Sequence, residues 1–173
     1  MSTETLTAVR SYAALGPGLA EAEDFHRRLS AATALADPGL ASGGWEGRER
    51  QIVSAWVRHV HGEPLAPLLL QGTATDPTVR AEEREAQLRE TTAMADRIAE
   101  HRPAALGWRG TDPTTRAIGA VAAMRAVTAH ALSRPVPPPR EQLVREVWSL
   151  VRAAVLGTEM GHPRPETPGR PAW

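Results

Sequence analysis

Apolar residues recur along the chain at intervals of three and four, and polar punctuation cuts that rhythm into segments of helical length. The first covers about residues 4–15 and ends at the breakers Gly16-Pro17-Gly18. The second, 19–35, places Phe25, Leu29, Ala32 and Leu35 on one face and stops at Asp37-Pro38-Gly39. Ser42-Gly43-Gly44 then makes a flexible joint. The third, 46–61, carries Ile52, Ala55, Trp56, His59 and Val60 at helical spacing, with Gly62 as its stop. A short apolar turn follows at 64–71.

The fourth segment opens with Asp76 as N-cap and Pro77 at the first helical position, and it runs to His101 or Arg102 before Pro103. Leu88, Thr91, Ala95, Ile98 and Ala99 are its expected inward residues. Asp112-Pro113 repeats the same start chemistry for a fifth segment, 113–133, rich in Ala, Val, Ile and Met. Pro135 and Pro137-Pro138-Pro139 form a stiff connector to a sixth, 140–156, closed by Gly157. Residues 158–173 hold four prolines and little to bury, which reads as a mobile tail. There is no Asn-Gly or Asp-Gly hairpin turn and no sustained period-2 alternation. The expectation is all-α: one bundle of about six helices over 1–157, then the Pro-rich tail.

The last two segments carry the widest apolar faces. At about 100° per residue, Leu143, Val144, Val147, Trp148, Leu150, Val151, Ala154 and Val155 fall in one arc of roughly 160°. Only Leu156 falls outside the pattern. So wide an arc can touch two neighbours, one in the same chain and one in a second copy. That predicts a four-helix dimer interface through Met124, Leu143, Val147, Leu150, Val151 and Ala154. A buried hairpin within a monomer satisfies the same pattern.

Composition narrows the function. With one Phe and one Tyr the core has to be aliphatic, and five tryptophans carry nearly all the aromatic surface. All twenty basic residues are Arg, matched by twenty Asp and Glu, for a net charge of zero. The arginines are interleaved with glutamates rather than gathered in a patch, so no nucleic-acid partner is expected. Absence of cysteine excludes disulfides, thiolate nucleophiles and Cys metal sites. Nothing at the start reads as a signal peptide, and no apolar run could span a bilayer; a cytoplasmic protein without a membrane partner is the expectation.

Candidate chemistry is sparse. His59 and His61 point to nearly opposite sides of a helix and cannot share a metal, and no HExxH, nucleophile elbow or phosphate loop occurs. Neither a metal nor a cofactor is expected. Glu82, Glu83, Glu85 and Glu90 alternate with Arg80, Arg84 and Arg89 and read as a solvated face with i, i+4 pairs. The better candidates are polar or aromatic residues on apolar faces: Trp56, His59, Thr91, Thr92, Met94, Trp108 and Arg125 for a ligand. Each could equally be plain core. His59, Arg125 and His130 are the candidates for acid, base or electrostatic work.

The stretch from Trp45-Glu46-Gly47-Arg48 through His59-Val60-His61-Gly62-Glu63-Pro64 to Leu68-Leu69-Leu70 resembles TetR-family regulators, where a helix ends at such a break and a short Leu-rich helix follows. Asp76-Pro77-Thr78-Val79-Arg80 and Glu85-Ala86-Gln87-Leu88-Arg89 are similar to the start of the family's next, long helix, and segments 113–133 and 140–157 to its two dimerisation helices. The resemblance covers about two thirds of the chain and rests on layout, since this half of the family has no invariant motif. It implies a homodimer that binds an apolar or amphipathic small molecule. The family's helix-turn-helix reading head is not recognisable ahead of Leu19. One alternative is an enzyme of a biosynthetic pathway, cyclase- or isomerase-like, using the same pocket. A second is a TetR-like regulator whose degenerate head ends between Pro38-Gly39-Leu40 and Gly47-Arg48-Glu49-Arg50.

Overall fold

The computed structural model describes residues 16–39, 44–100 and 112–156. Those residues form helices α1 (Leu19–Leu35), α2 (Trp45–His61), α3 (Ala66–Gln71), α4 (Pro77–Glu100), α5 (Pro113–Leu132) and α6 (Arg140–Leu156), and no strand. The segment expected at 4–15, the Ser42-Gly43 joint, Trp108 and the Pro-rich tail lie outside the described residues. Among the described helices none is long and apolar enough to cross a membrane.

Local chemistry sets the helix starts. The Gly18 N–H of α1 donates to the Glu21 carboxylate at 2.9 Å. Asp76 accepts from the Thr78 N–H at 2.7 Å and hydroxyl at 2.6 Å, and Asp112 accepts from the Thr115 N–H at 3.2 Å. In both Asp-Pro starts the carboxylate satisfies an amide that has no carbonyl partner in the first turn, and the proline ring fixes the φ that a helix needs. The apolar stretch after Pro64 is a short helix, ended by Gly72 at φ +65°, a backbone shape that a side chain would strain.

Five helices neighbour one another in a closed cycle: α1 meets α2, α2 meets α6, α6 meets α5, α5 meets α4, and α4 returns to α1. The short α3 lies on α5. The α2–α6 contact is antiparallel. At one end Arg152 donates to Glu46 at 2.9 Å, with Trp45 stacked near Trp148; at the other, His61 Nε2 lies 3.1 Å from the Pro138 carbonyl. The ring buries Leu143, Val147, Val151 and Val155 of α6 with Val121 of α5 and Val53, Val57 and Val60 of α2. Each such aliphatic side chain contributes roughly 1.5–3 kcal/mol by leaving water.

The structure corrects the expected faces in two places. On α4, Leu88 is 65% exposed, and Thr92 and Ala99 are exposed with it. Thr91, Ala95 and Ile98 are buried as expected, and the inward face continues through Val79, Glu83, Ala86 and Met94, with Glu90 and Arg97 part-buried along it. Residues seven apart return to about the same side of a helix, so Glu83, Glu90 and Arg97 form a charged line facing the interior rather than water. On α1, Leu35 ends the helix 91% exposed. The wide apolar arc of α6 also has two neighbours within the chain, α2 and α5. Met124, Leu143, Val147 and Val151 are consequently buried here, and of the six expected interface residues only Leu150 and Ala154 keep accessible surface.

These placements separate Leu143 from Leu88. Leu143→Ala removes a fully buried side chain and should lower unfolding free energy in urea by about 2–5 kcal/mol. Leu88→Ala should change it by less than about 0.5 kcal/mol; a cost equal to that at Leu143 would mean that α4 presents a different face to the core.

Candidate functional site

A cleft opens where the ring is least filled. α2 and α4 are not close-packed against each other, and long side chains bridge the gap between them. Its walls come from four helices: His26, Ser30 and Thr33 of α1; Glu49, Ile52, Val53 and Trp56 of α2; Ala86, Arg89, Glu90, Ala93, Met94 and Arg97 of α4; Val121 and Met124 of α5. The volume is about 110 Å³.

Two ion pairs organise the walls. Glu49, wholly buried, receives a forked pair of bonds from Arg97, Nε to Oε2 at 2.7 Å and Nη2 to Oε1 at 2.9 Å. Arg125, also buried, donates from Nη1 to both Glu90 oxygens at 3.1 and 3.3 Å and from Nη2 to the Leu69 carbonyl at 3.3 Å. The Trp56 indole N–H reaches Glu90 Oε1 at 3.4 Å, so this carboxylate links the cleft wall to the α5 arginine. At the end of the cleft helices Arg48 holds Asp37 with two bonds of 2.6 and 2.8 Å and Glu100 with one of 2.6 Å. Those bonds from Arg48 hold the Asp37 carboxyl down at about 2.

His26 differs from these groups. Its imidazole is 4% exposed, packs edge-on to Phe25 at 5.0 Å, and neither ring nitrogen has a hydrogen-bond partner among the described residues. Burial first, then the positive charges of Arg125 and Arg89, push its pKa down to about 4. Glu83, one heptad before Glu90, is likewise buried with both oxygens unpartnered; burial pushes its carboxyl up against the opposing pull of Arg125, Arg80 and Arg84.

Of the expected ligand residues, Trp56 and Met94 line the cleft. Arg125 stands behind its wall, bound to Glu90. Thr91 is buried, but its hydroxyl donates to the Gln87 carbonyl at 2.8 Å within α4. Thr92 faces outward. His59 packs on Phe25 at 6.0 Å and is not part of the lining; burial lowers its pKa, Glu63 raises it and Arg28 lowers it. His130 is exposed in a separate groove, lined also by Gln71, Gln87, Ser133 and Arg125. Arg125 and His130 therefore share that groove, while His59 lies apart from both.

The residues that sequence reasoning missed are His26, Glu49, Arg89, Glu90 and Arg97. Glu49 was legible in principle, since it stands seven residues before Trp56 and shares its stripe. Among the described residues no three His, Asp or Glu side chains converge as a metal site needs. Comparison with models of known protein families, with curated proteins and with solved structures finds no match.

The buried imidazole gives acid stability a direction. Folded His26 stays neutral down to about pH 4, while the unfolded chain protonates it below the ordinary 6.5. The unfolded state binds the extra proton between those values, so stability is lost as pH falls through that window, by on the order of 3 kcal/mol. Glu83, raised from 4.5, acts in the opposite sense, favouring the folded chain as pH falls through its own range. His26→Gln should flatten the stability loss between pH 6.5 and 4 measured by urea unfolding; an unchanged slope would show that the imidazole is protonated in the folded chain.

Proposed function

We propose that the chain binds a small amphipathic molecule in the cleft between α1, α2, α4 and α5. The observation that carries this is His26, a buried imidazole at the cleft wall with a donor and an acceptor that no group among the described residues uses. An unmet polar group inside a protein costs about 1–3 kcal/mol, and a ligand bearing a complementary group recovers it. The remaining surface suits an apolar body, since Ile52, Val53, Trp56, Met94, Val121 and Met124 form one continuous side. A volume of about 110 Å³ is slightly below the roughly 150 Å³ that holds a benzene in an engineered apolar cavity, so the body is of single-ring size. The likeness to the TetR effector half supports the same reading, because the corresponding helices wall the ligand chamber there.

Binding fits better than catalysis. A general base works best with a pKa near the operating pH, and His26 sits well below it. The neighbouring carboxylates are committed, Glu49 to Arg97 and Glu90 to Arg125. In this reading the chain is also a homodimer joined through the outer faces of α5 and α6. Ile118 and Leu150 remain 53% and 39% exposed there, beside the exposed small residues Ala122 and Ala126.

Benzoate, benzamide and benzylammonium each carry a single benzene ring and differ in charge. At least one should change tryptophan fluorescence saturably, and Trp56→Phe should remove most of that change while helical circular dichroism stays intact. No saturable change with any of the three overturns the proposed binding. For the dimer, Leu150→Glu should shift the light-scattering mass from dimer to monomer. Leu150 serves better than Val147, where a charge would enter the core of the single chain. A wild type already monomeric at micromolar concentration rules the dimer out.

A further inference from the structure

The charges around His26 select among ligands. Four helices face the cleft, and their ionisable groups can be taken in turn. From α2 comes Glu49, neutralised on both oxygens by Arg97 of α4. From α4 come Glu90 and Arg89; α5 contributes Arg125, which neutralises Glu90 from behind the wall. Arg89 stands at the mouth, half exposed, held to Glu82 at 2.8 Å and Glu85 at 3.1 Å on its own helix. Exposed pairs of that kind contribute little and exchange readily. The two charges that lower the His26 pKa, those of Arg125 and Arg89, are both positive. A negative group beside the imidazole is therefore favoured over a positive one.

We infer that the cleft takes a small organic acid, with a single apolar ring against Trp56, Ile52, Met94 and Met124 and its carboxylate between the His26 imidazole and the Arg89 guanidinium. A cation there would meet Arg89 and Arg125 without an uncommitted carboxylate. A neutral molecule would gain the hydrogen bond but not the field. An anion gains both, and in a site of low dielectric the gain is larger than in water. The arriving carboxylate also reverses the balance on the imidazole, since an opposite charge at contact distance favours the protonated form. Binding therefore draws a proton from solution onto His26, which is neutral beforehand. Burial of the imidazole, which holds it neutral in the unliganded chain, makes the paired form stronger once it is charged.

This rests on the proposed binding in the cleft, and the experiment separates the two. Benzoate, benzamide and benzylammonium are titrated into the full chain by calorimetry in two buffers of different ionisation enthalpy, across a pH range in which benzoate stays ionised. Benzoate should bind at least about tenfold tighter than benzamide, and benzylammonium weaker than either. Benzoate affinity should rise as pH falls, by up to about tenfold per pH unit, the limit for one proton taken up. His26→Gln should abolish the proton uptake, provided circular dichroism shows it folded. Arg89→Gln changes an exposed side chain and should fold regardless; it should weaken benzoate several-fold and leave benzamide unchanged. Benzamide or benzylammonium binding as tightly as benzoate overturns the organic-acid assignment and leaves binding in the cleft standing. Preference for benzoate that survives both substitutions, or that carries no proton, overturns the roles given to His26 and Arg89. If none of the three binds, both proposals fall.

Discussion

Glu49 can be charged inside this protein only because Arg97 reaches it from the facing helix, and the length of that bridge sets the shape of the interior. Helices joined by short apolar side chains approach to about 8–10 Å. A glutamate and an arginine laid end to end hold α2 and α4 further apart than close packing would, and these two helices are not close-packed. Such a pair is a poor source of stability, since apolar residues of the same volume often do as well or better. Its effect is geometric. Replacing both members by apolar residues would let the helices close, whereas removing one member would strand a buried charge at about 3–5 kcal/mol. The cleft follows from spacing that α4 imposes with Arg97 and repeats with Glu90, which meets Trp56 and Arg125 two turns away.

The five-helix cycle makes this spacing tolerable. α6 closes the ring on the side away from the cleft, and its buried Leu143, Val147, Val151 and Val155 supply apolar burial that the α2–α4 side lacks. Hydrophobic stabilisation and polar organisation are thus divided between opposite sides of the molecule. That division also accounts for His26 and Glu83. Both are buried with unpartnered polar atoms, a local cost that a fold bears when its core elsewhere is well packed. His26 lies on the cleft wall, where a cost of this kind can be recovered by a ligand.

Much of the fold was legible in the sequence. Asp76-Pro77 and Asp112-Pro113 mark helix starts because each supplies an acceptor and a fixed φ within a few residues, without help from the rest of the chain. α1 ends at Leu35, just before Asp37-Pro38-Gly39, where the proline disfavours helix for the residue ahead of it. The inward face of α4 was legible only in part: Thr91, Ala95 and Ile98 are buried as expected, but hydrophobicity was the only marker for the rest. Leu88 is apolar and exposed, whereas Glu83 and Arg97 are ionisable and face inward, and only their partners on other helices make that placement possible. Pairing between Glu49 and Arg97 spans 48 residues and leaves no trace in local periodicity. Trp56 and Met94 were found because an aromatic or thioether side chain on an apolar stripe signals burial whether or not it meets a ligand. The arc of α6 was expected to meet one neighbour in the chain and one in a second copy; within the chain it meets both α2 and α5, and pattern alone does not say which chain supplies a neighbour.

Read together, these features limit what the cleft can do. Its two wall carboxylates are each bonded to a guanidinium, Glu49 to Arg97 and Glu90 to Arg125, which fixes their orientation. The imidazole is the exception, and burial keeps it neutral across the pH range in which most proteins work. A neutral histidine near arginines is a weak base but a responsive one, because a single negative charge placed beside it changes its protonation. Responsiveness of that kind suits recognition. For the proposed ligand, the ion pairs hold the walls of the cleft, the apolar face of Ile52, Trp56 and Met94 would supply affinity without direction, and His26 and Arg89 would supply the contacts that depend on what the ligand carries.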